Sequence, residues 1–96
     1  MNIQNVINNT KVIKTELKNG KFQYRLTSGE QEIVAIKQSK KHFSHLVCAV
    51  EVQTNRIMFY SANGRLDLSV KAMSGFQKYE SVASGERKLF IVSVTQ

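Results

Sequence analysis

Between residues 11 and 27 apolar and polar residues alternate with a period of two, and the alternation is broken once, at Asn19-Gly20. Period-two alternation predicts half-buried strands. An Asn-Gly pair between two such runs predicts a two-residue type I′ turn, whose central positions both need positive φ. Segments 11–18 and 21–27 are therefore expected to form a hairpin whose partner numbers sum to 39. Ile13 then opposes Leu26, Thr15 opposes Tyr24 and Leu17 opposes Phe22 on one face. On the other face Lys14 opposes Arg25, Glu16 opposes Gln23 and Lys18 opposes Lys21. Turn chemistry and alternation agree on this register.

The rest of the chain is read in the same way. Ile3, Val6 and Ile7 at i, i+3, i+4 fit a short N-terminal helix, or equally a frayed arm, because so short a helix is marginal without packing. Ser28-Gly29-Glu30 is a turn, and 32–37 is a third, more buried strand. The apolar run within 46–52 suits the centre of a sheet. Thr54-Asn55 is expected to turn it into a strand at 56–61, with Val52 opposite Ile57 and Val50 opposite Phe59, and Ala62-Asn63-Gly64 ends that strand. The period then changes. Leu68, Ala72, Phe76 and Tyr79 make one helical stripe over about 67–79, with Asp67 or Ser69 as N-cap. Residues 81–86 read as loop and 89–95 as a last buried strand. The expectation is a single α+β domain over 1–96, a mainly antiparallel sheet of five to six strands with one helix packed on one face.

Composition narrows the setting. The 96 residues are 42% apolar and 22% charged, which is the balance of a folded domain. The longest apolar run, 46–50, is far too short to span a bilayer. The N-terminus has neither a basic start nor an apolar stretch, so no signal peptide is expected. A lone cysteine, Cys48, allows no internal disulfide and is expected to be a buried hydrophobe. The net charge of +7 is uneven: residues 1–48 hold eight Lys/Arg against three Glu, and residues 49–96 hold six against four acids. A cytoplasmic, basic domain with its charge in the first half is the reading that follows.

That charge has two foci. One is the hairpin, through Lys14, Lys18, Lys21 and Arg25, whose like-charge pairs would be destabilising unless solvated or facing an anion. Lysines on an edge strand also serve to block aggregation, and a two-stranded ribbon can contact nucleic-acid phosphates. The second is the acid-free stretch holding Lys37, Lys40, Lys41, His42, Phe43, Ser44 and His45. Lysines and loop N–H groups suit phosphate oxygens, and Phe43 would either stack a base or tuck into the core. Tyr60 is expected on the outer face of its hairpin. His42 and His45 lack the further His or Cys ligands that a zinc site needs, so no metal is expected. No nucleophile, base and orienting group assemble: Ser44 and His45 are adjacent and would point to opposite faces of a strand. No phosphate-cradling glycine motif or cofactor signature is present.

The stretch Ser39-Lys40-Lys41-His42-Phe43-Ser44-His45-Leu46-Val47 resembles a pattern in small, uncharacterised phage-encoded proteins, in which a basic pair leads through an aromatic and a Ser/Thr-His into an apolar strand. The resemblance covers nine of 96 residues. It implies a phage or mobile-element accessory protein acting on host nucleic-acid machinery or defence, in the host cytoplasm, and it carries over no site residue. The functional expectation is a non-enzymatic binding protein for a polyanion, nucleic acid or a nucleotide-like ligand. Its contacts would come from Lys37, Lys40, Lys41, His42, Phe43, His45, Lys14, Lys18, Lys21 and Arg25. The alternative is a protein-interaction module that docks on an acidic host protein or self-associates through a strand edge, a dimer included.

Overall fold

The structure is a computed structural model that describes residues 2–95, with the backbone alone for residues 32–38 and Thr95. Its elements run α1 (Ile3–Asn9), β1 (Thr10–Glu16), β2 (Phe22–Ser28), β3 (Gln31–Ser39), β4 (His45–Glu51), β5 (Ile57–Asn63), α2 (Leu66–Phe76), α3 (Glu80–Ala83) and β6 (Arg87–Thr95). The class is α+β. The six strands lie in the order β3-β2-β1-β6-β4-β5. The sheet is mixed rather than purely antiparallel, because the last strand returns beside the first in parallel, Val12 against Val94.

The first hairpin forms one register away from the expected one. Its partners are Val12↔Leu26, Ile13↔Arg25, Lys14↔Tyr24 and Glu16↔Phe22. The cause is the turn. Gly20 N–H donates to Leu17 O at 3.1 Å and Leu17 N–H donates to Lys21 O at 2.8 Å, which makes Lys18-Asn19-Gly20 a three-residue loop. Gly20 at φ 80° supplies the left-handed position that such a loop needs. One extra loop residue flips every side chain of β1 relative to β2. The expected pairs Lys14/Arg25 and Lys18/Lys21 therefore do not form. Val12 replaces Ile13 in the core, and Lys14 turns to the face that carries Phe22, Tyr24 and Leu26.

The second hairpin also differs from expectation. Val50 pairs with Ile57 and Cys48 with Phe59, with a bulge before Val47↔Ser61. The chain reverses through a longer loop, closed by Glu51 N–H to Arg56 O at 2.8 Å, with Asn55 at φ 61°. Val52, expected to continue the buried run, is left 43% exposed in that loop.

The sheet is curled, and its inner face carries the main core: Val12, Tyr24, Leu26, Leu46, Cys48, Val50, Ile57, Phe90 and Val92. The α1 reading as a helix holds. Its Val6 is buried in this core, and Val6 O accepts from the hydroxyls of Thr10 at 2.6 Å and Ser28 at 2.8 Å. The curl brings the two edge strands together at one end. There the Gln31 side chain donates to Asn55 O at 2.6 Å and accepts from Ile57 N–H at 2.9 Å. Strand β4 is buried on both faces, since Val47 and Ala49 lie opposite the inner core, on the side where α2 packs.

The helix α2 is shorter than 67–79 and is rotated from its expected stripe. Arg65 is its N-cap, without a side-chain bond. Ser69, expected as a cap, is instead fully buried, with its hydroxyl accepting from Asn63 Nδ2 at 3.0 Å. A small residue lets the helix approach the sheet closely. Phe76 faces inward, but Leu68 and Tyr79 are 40% and 52% exposed. Tyr60 lies on this outer side, as expected, edge-to-face with Phe76 at 5.1 Å and 6.2 Å from the Tyr79 ring. Residues 81–83, part of the segment 81–86 expected as loop, belong instead to the single turn α3.

Candidate polyanion-binding cleft

The register shift builds the site. Lys14 and Glu16 occupy the inner face at the end of β1, beside Phe22 at the start of β2. An open cleft of about 360 Å³ is lined there, among the described residues, by Lys14, Glu16, Phe22 and His42. Lys14 Nζ sits 4.2 Å from the centroid of the Phe22 ring, a cation–π contact. The His42 ring is tilted against Phe22, with centroids 4.5 Å apart. Lys14 Nζ also lies 2.6 Å from His42 Nδ1. One hydrogen must lie between these nitrogens. An ammonium donating to Nδ1 leaves the ring proton on Nε2, the tautomer that this bonding pattern requires.

The loop carrying His42 is tied down on both sides. The Tyr24 hydroxyl, on a side chain only 1% exposed, donates to Lys41 O and accepts from Phe43 N–H, each at 3.0 Å. Further on, Ser44 N–H donates to Asn63 O at 2.9 Å and Ser44 O accepts from Val94 N–H at 2.8 Å. Lys41 N–H adds a bond to Ser39 Oγ at 3.0 Å. Ser39 pairs with Phe22 across β2 and β3, so Lys40 and Lys41 reach the end of the sheet where the Lys18–Lys21 turn lies. Lys18, Lys21, Lys40, Lys41 and His42 are all exposed.

Other expected contacts are placed elsewhere. Arg25 lies opposite Ile13, on the outer face away from Lys14. Phe43 packs half-buried against the core, edge-to-face with Tyr24 at 5.4 Å, so its ring does not line the cleft. His45 pairs with Asn63 and Ser93 on the outer face. Its Nδ1 is 2.7 Å from Ser44 Oγ, a contact that strand alternation did not foresee, because Ser44 lies just before β4 begins. The Lys37 side chain lies outside the described residues. Sequence reasoning missed Phe22, Glu16 and Tyr24 as parts of the site. The signal that could have found them was the Lys-Asn-Gly run, which fits a three-residue loop as well as a two-residue turn.

Two groups elsewhere have shifted titration. Burial pushes the Cys48 thiol up from 9.0 to about 12, as expected for a cysteine inside the core. The Tyr60 hydroxyl, accepting from Arg87 at 3.1 Å, raises the pKa of that guanidinium. No cluster of three metal-ligating side chains occurs among the described residues, and none of their helices is long and apolar enough to cross a membrane. No family model, curated protein or solved structure matches this chain.

Proposed function

We propose that this chain is a non-enzymatic binding protein for a polyanion, engaging nucleic acid or a nucleotide-like anion at the lysine-rich end of its curled sheet. The observation that carries the proposal is the meeting of Lys14 and His42 at 2.6 Å over the Phe22 ring. These two residues come from the two basic regions that the sequence keeps apart. Around them stand Lys18 and Lys21 on the hairpin turn and Lys40 and Lys41 on the anchored loop. Cations gathered at one end raise the local potential and favour phosphate. The resemblance of residues 39–47 adds the setting to the same proposal, a phage or mobile-element accessory protein acting on host nucleic-acid machinery or defence.

The test is fluorescence anisotropy with a labelled single-stranded oligonucleotide at two salt concentrations. Log affinity is expected to fall against log salt with a slope of roughly 0.7 for each phosphate neutralised on a single strand. Lys40→Ala with Lys41→Ala should weaken binding and flatten the slope by about one to two such increments. No binding at low salt would overturn the proposal.

A second reading is favoured by a different observation. Leu66, Leu68 and Val70 of α2 stand 52%, 40% and 49% exposed, outside any core. Exposed apolar side chains of this size on one helix suit a protein-interaction module. Sedimentation velocity of the wild type and of Leu66→Ser with Val70→Ser tests self-association. A monomer at every concentration in both proteins removes the dimer from this reading.

A further inference from the structure

The cleft contains one residue that works against simple anion binding. Glu16 lines it together with Lys14, Phe22 and His42, yet joins no ion pair among the described residues. A carboxylate beside an entering phosphate repels it, so the lining combines two kinds of group: Lys14 and, with its proton on Nε2, His42 donate, whereas Glu16 only accepts. The volume, about 360 Å³, lies near the lower end of the range for small-ligand sites, roughly 300–1,000 Å³.

Resting on the polyanion reading, we infer that the cleft takes a guanine nucleotide, free or within a single strand, and that Glu16 is its specificity-determining residue. Guanine is the base whose pairing edge carries two adjacent N–H donors, N1–H and the N2 amino group. These match the two oxygens of a carboxylate in a bidentate pair. Adenine and cytosine place a bare ring nitrogen beside their amino group, which opposes the second carboxylate oxygen. Uracil and thymine flank a single N–H with two carbonyl oxygens. The nucleotide's phosphate then lies toward Lys14 and His42, and the pairing edge of the base lies toward Glu16. Bidentate base recognition discriminates by tenfold or more in typical cases. The expected order of affinity is guanine first, adenine and cytosine next, uracil last.

Isothermal titration of the full chain with GMP, AMP, CMP and UMP tests this, alongside anisotropy with U-rich single strands that contain either one guanine or none. GMP should bind about tenfold or more tightly than UMP. In Glu16→Gln the amide replaces one acceptor oxygen with a donor, so GMP loses its bidentate pair while AMP, CMP and UMP are freed from a repelling carboxylate, and the preference should fall to near unity. A guanine effect in the strands but not with GMP assigns the ligand to a strand, and the reverse assigns it to a free nucleotide. Equal binding of all four nucleotides and of both strands by the wild type would overturn the inference and leave the polyanion reading standing. A guanine preference unchanged in Glu16→Gln would overturn the role of Glu16. No binding of any nucleotide or strand at low salt would overturn both.

Discussion

Tyr24→Phe separates the two tasks of one side chain. The ring fills the inner core and meets Phe43 edge-to-face at 5.4 Å, and phenylalanine keeps both contacts. The hydroxyl alone bridges β2 to the loop, donating to Lys41 O and accepting from Phe43 N–H at 3.0 Å each. Its removal leaves a part-buried N–H and a part-buried C=O without this partner. At a net ~0.5–1.5 kcal/mol for each hydrogen bond, the expected loss is ~1–3 kcal/mol. In urea, where slopes are ~1–3 kcal/mol per molar, the midpoint should fall by about 1 M with an unchanged slope. Hydrogen exchange gives the local readout: the Phe43 amide should lose protection to a greater degree than amides in β4 or β6. Affinity for an anionic strand should drop as well, because Lys40, Lys41 and His42 are then held less firmly. A stability loss of less than ~0.5 kcal/mol, or a Phe43 amide as protected as in the wild type, would refute the claim that this hydroxyl anchors the loop.

Three further outcomes follow from the geometry. Gln31→Ala removes both bonds that fasten β3 to the start of β5, so a loss of ~1–3 kcal/mol is expected in urea unfolding; a neutral result would show that the curl does not depend on this clasp. Gly20→Ala meets no atom within 4 Å but must hold φ 80°, so it should cost ~1–2 kcal/mol, and Gly20→Asn less, by thermal unfolding. The Cys48 thiol is protonated in the fold well beyond the pH at which the unfolded thiol ionises, because burial takes its pKa from 9.0 to about 12. Its contribution to stability is therefore intact below pH 9.0 and is lost as pH rises toward about 12. Wild type should lose ~1.4 kcal/mol per pH unit relative to Cys48→Ala in that window, measured by urea midpoints, and equal slopes would contradict the burial argument.

Much of the local structure is legible in the residues themselves. Ile3, Val6 and Ile7 at helical spacing do form α1, and the apolar run around Cys48 does form the strand buried on both faces. Each of these rests on interactions between near neighbours or on a burial pattern too strong to satisfy another way. Register is different. The Lys-Asn-Gly sequence is compatible with two loop lengths, and both Val12 and Ile13 are apolar, so alternation in β1 does not choose between them. The choice is made where Val12, paired with Leu26, also lies against Val94 of β6, a contact that the hairpin by itself cannot contain. The face of α2 was hidden for a similar reason. Ser69 has no hydrophobic signature, and its position against the sheet depends on Asn63, six residues away on another element.

The same division governs the site. By itself the sequence determines that the charge lies in the first half and that one acid-free stretch holds three lysines and two histidines, because composition and order are properties of the chain alone. Only the tertiary structure decides that Lys14 joins His42 over Phe22, that Glu16 shares their cleft, and that Arg25, Phe43 and His45 lie elsewhere. A shift of one residue in a loop moves every side chain of a strand to the other face. Either register sets an apolar residue of β1, Val12 or Ile13, opposite Leu26, and the one that forms also puts Val12 against Val94 in the core that the whole sheet encloses, so the membership of the cleft is a property of the closed curl.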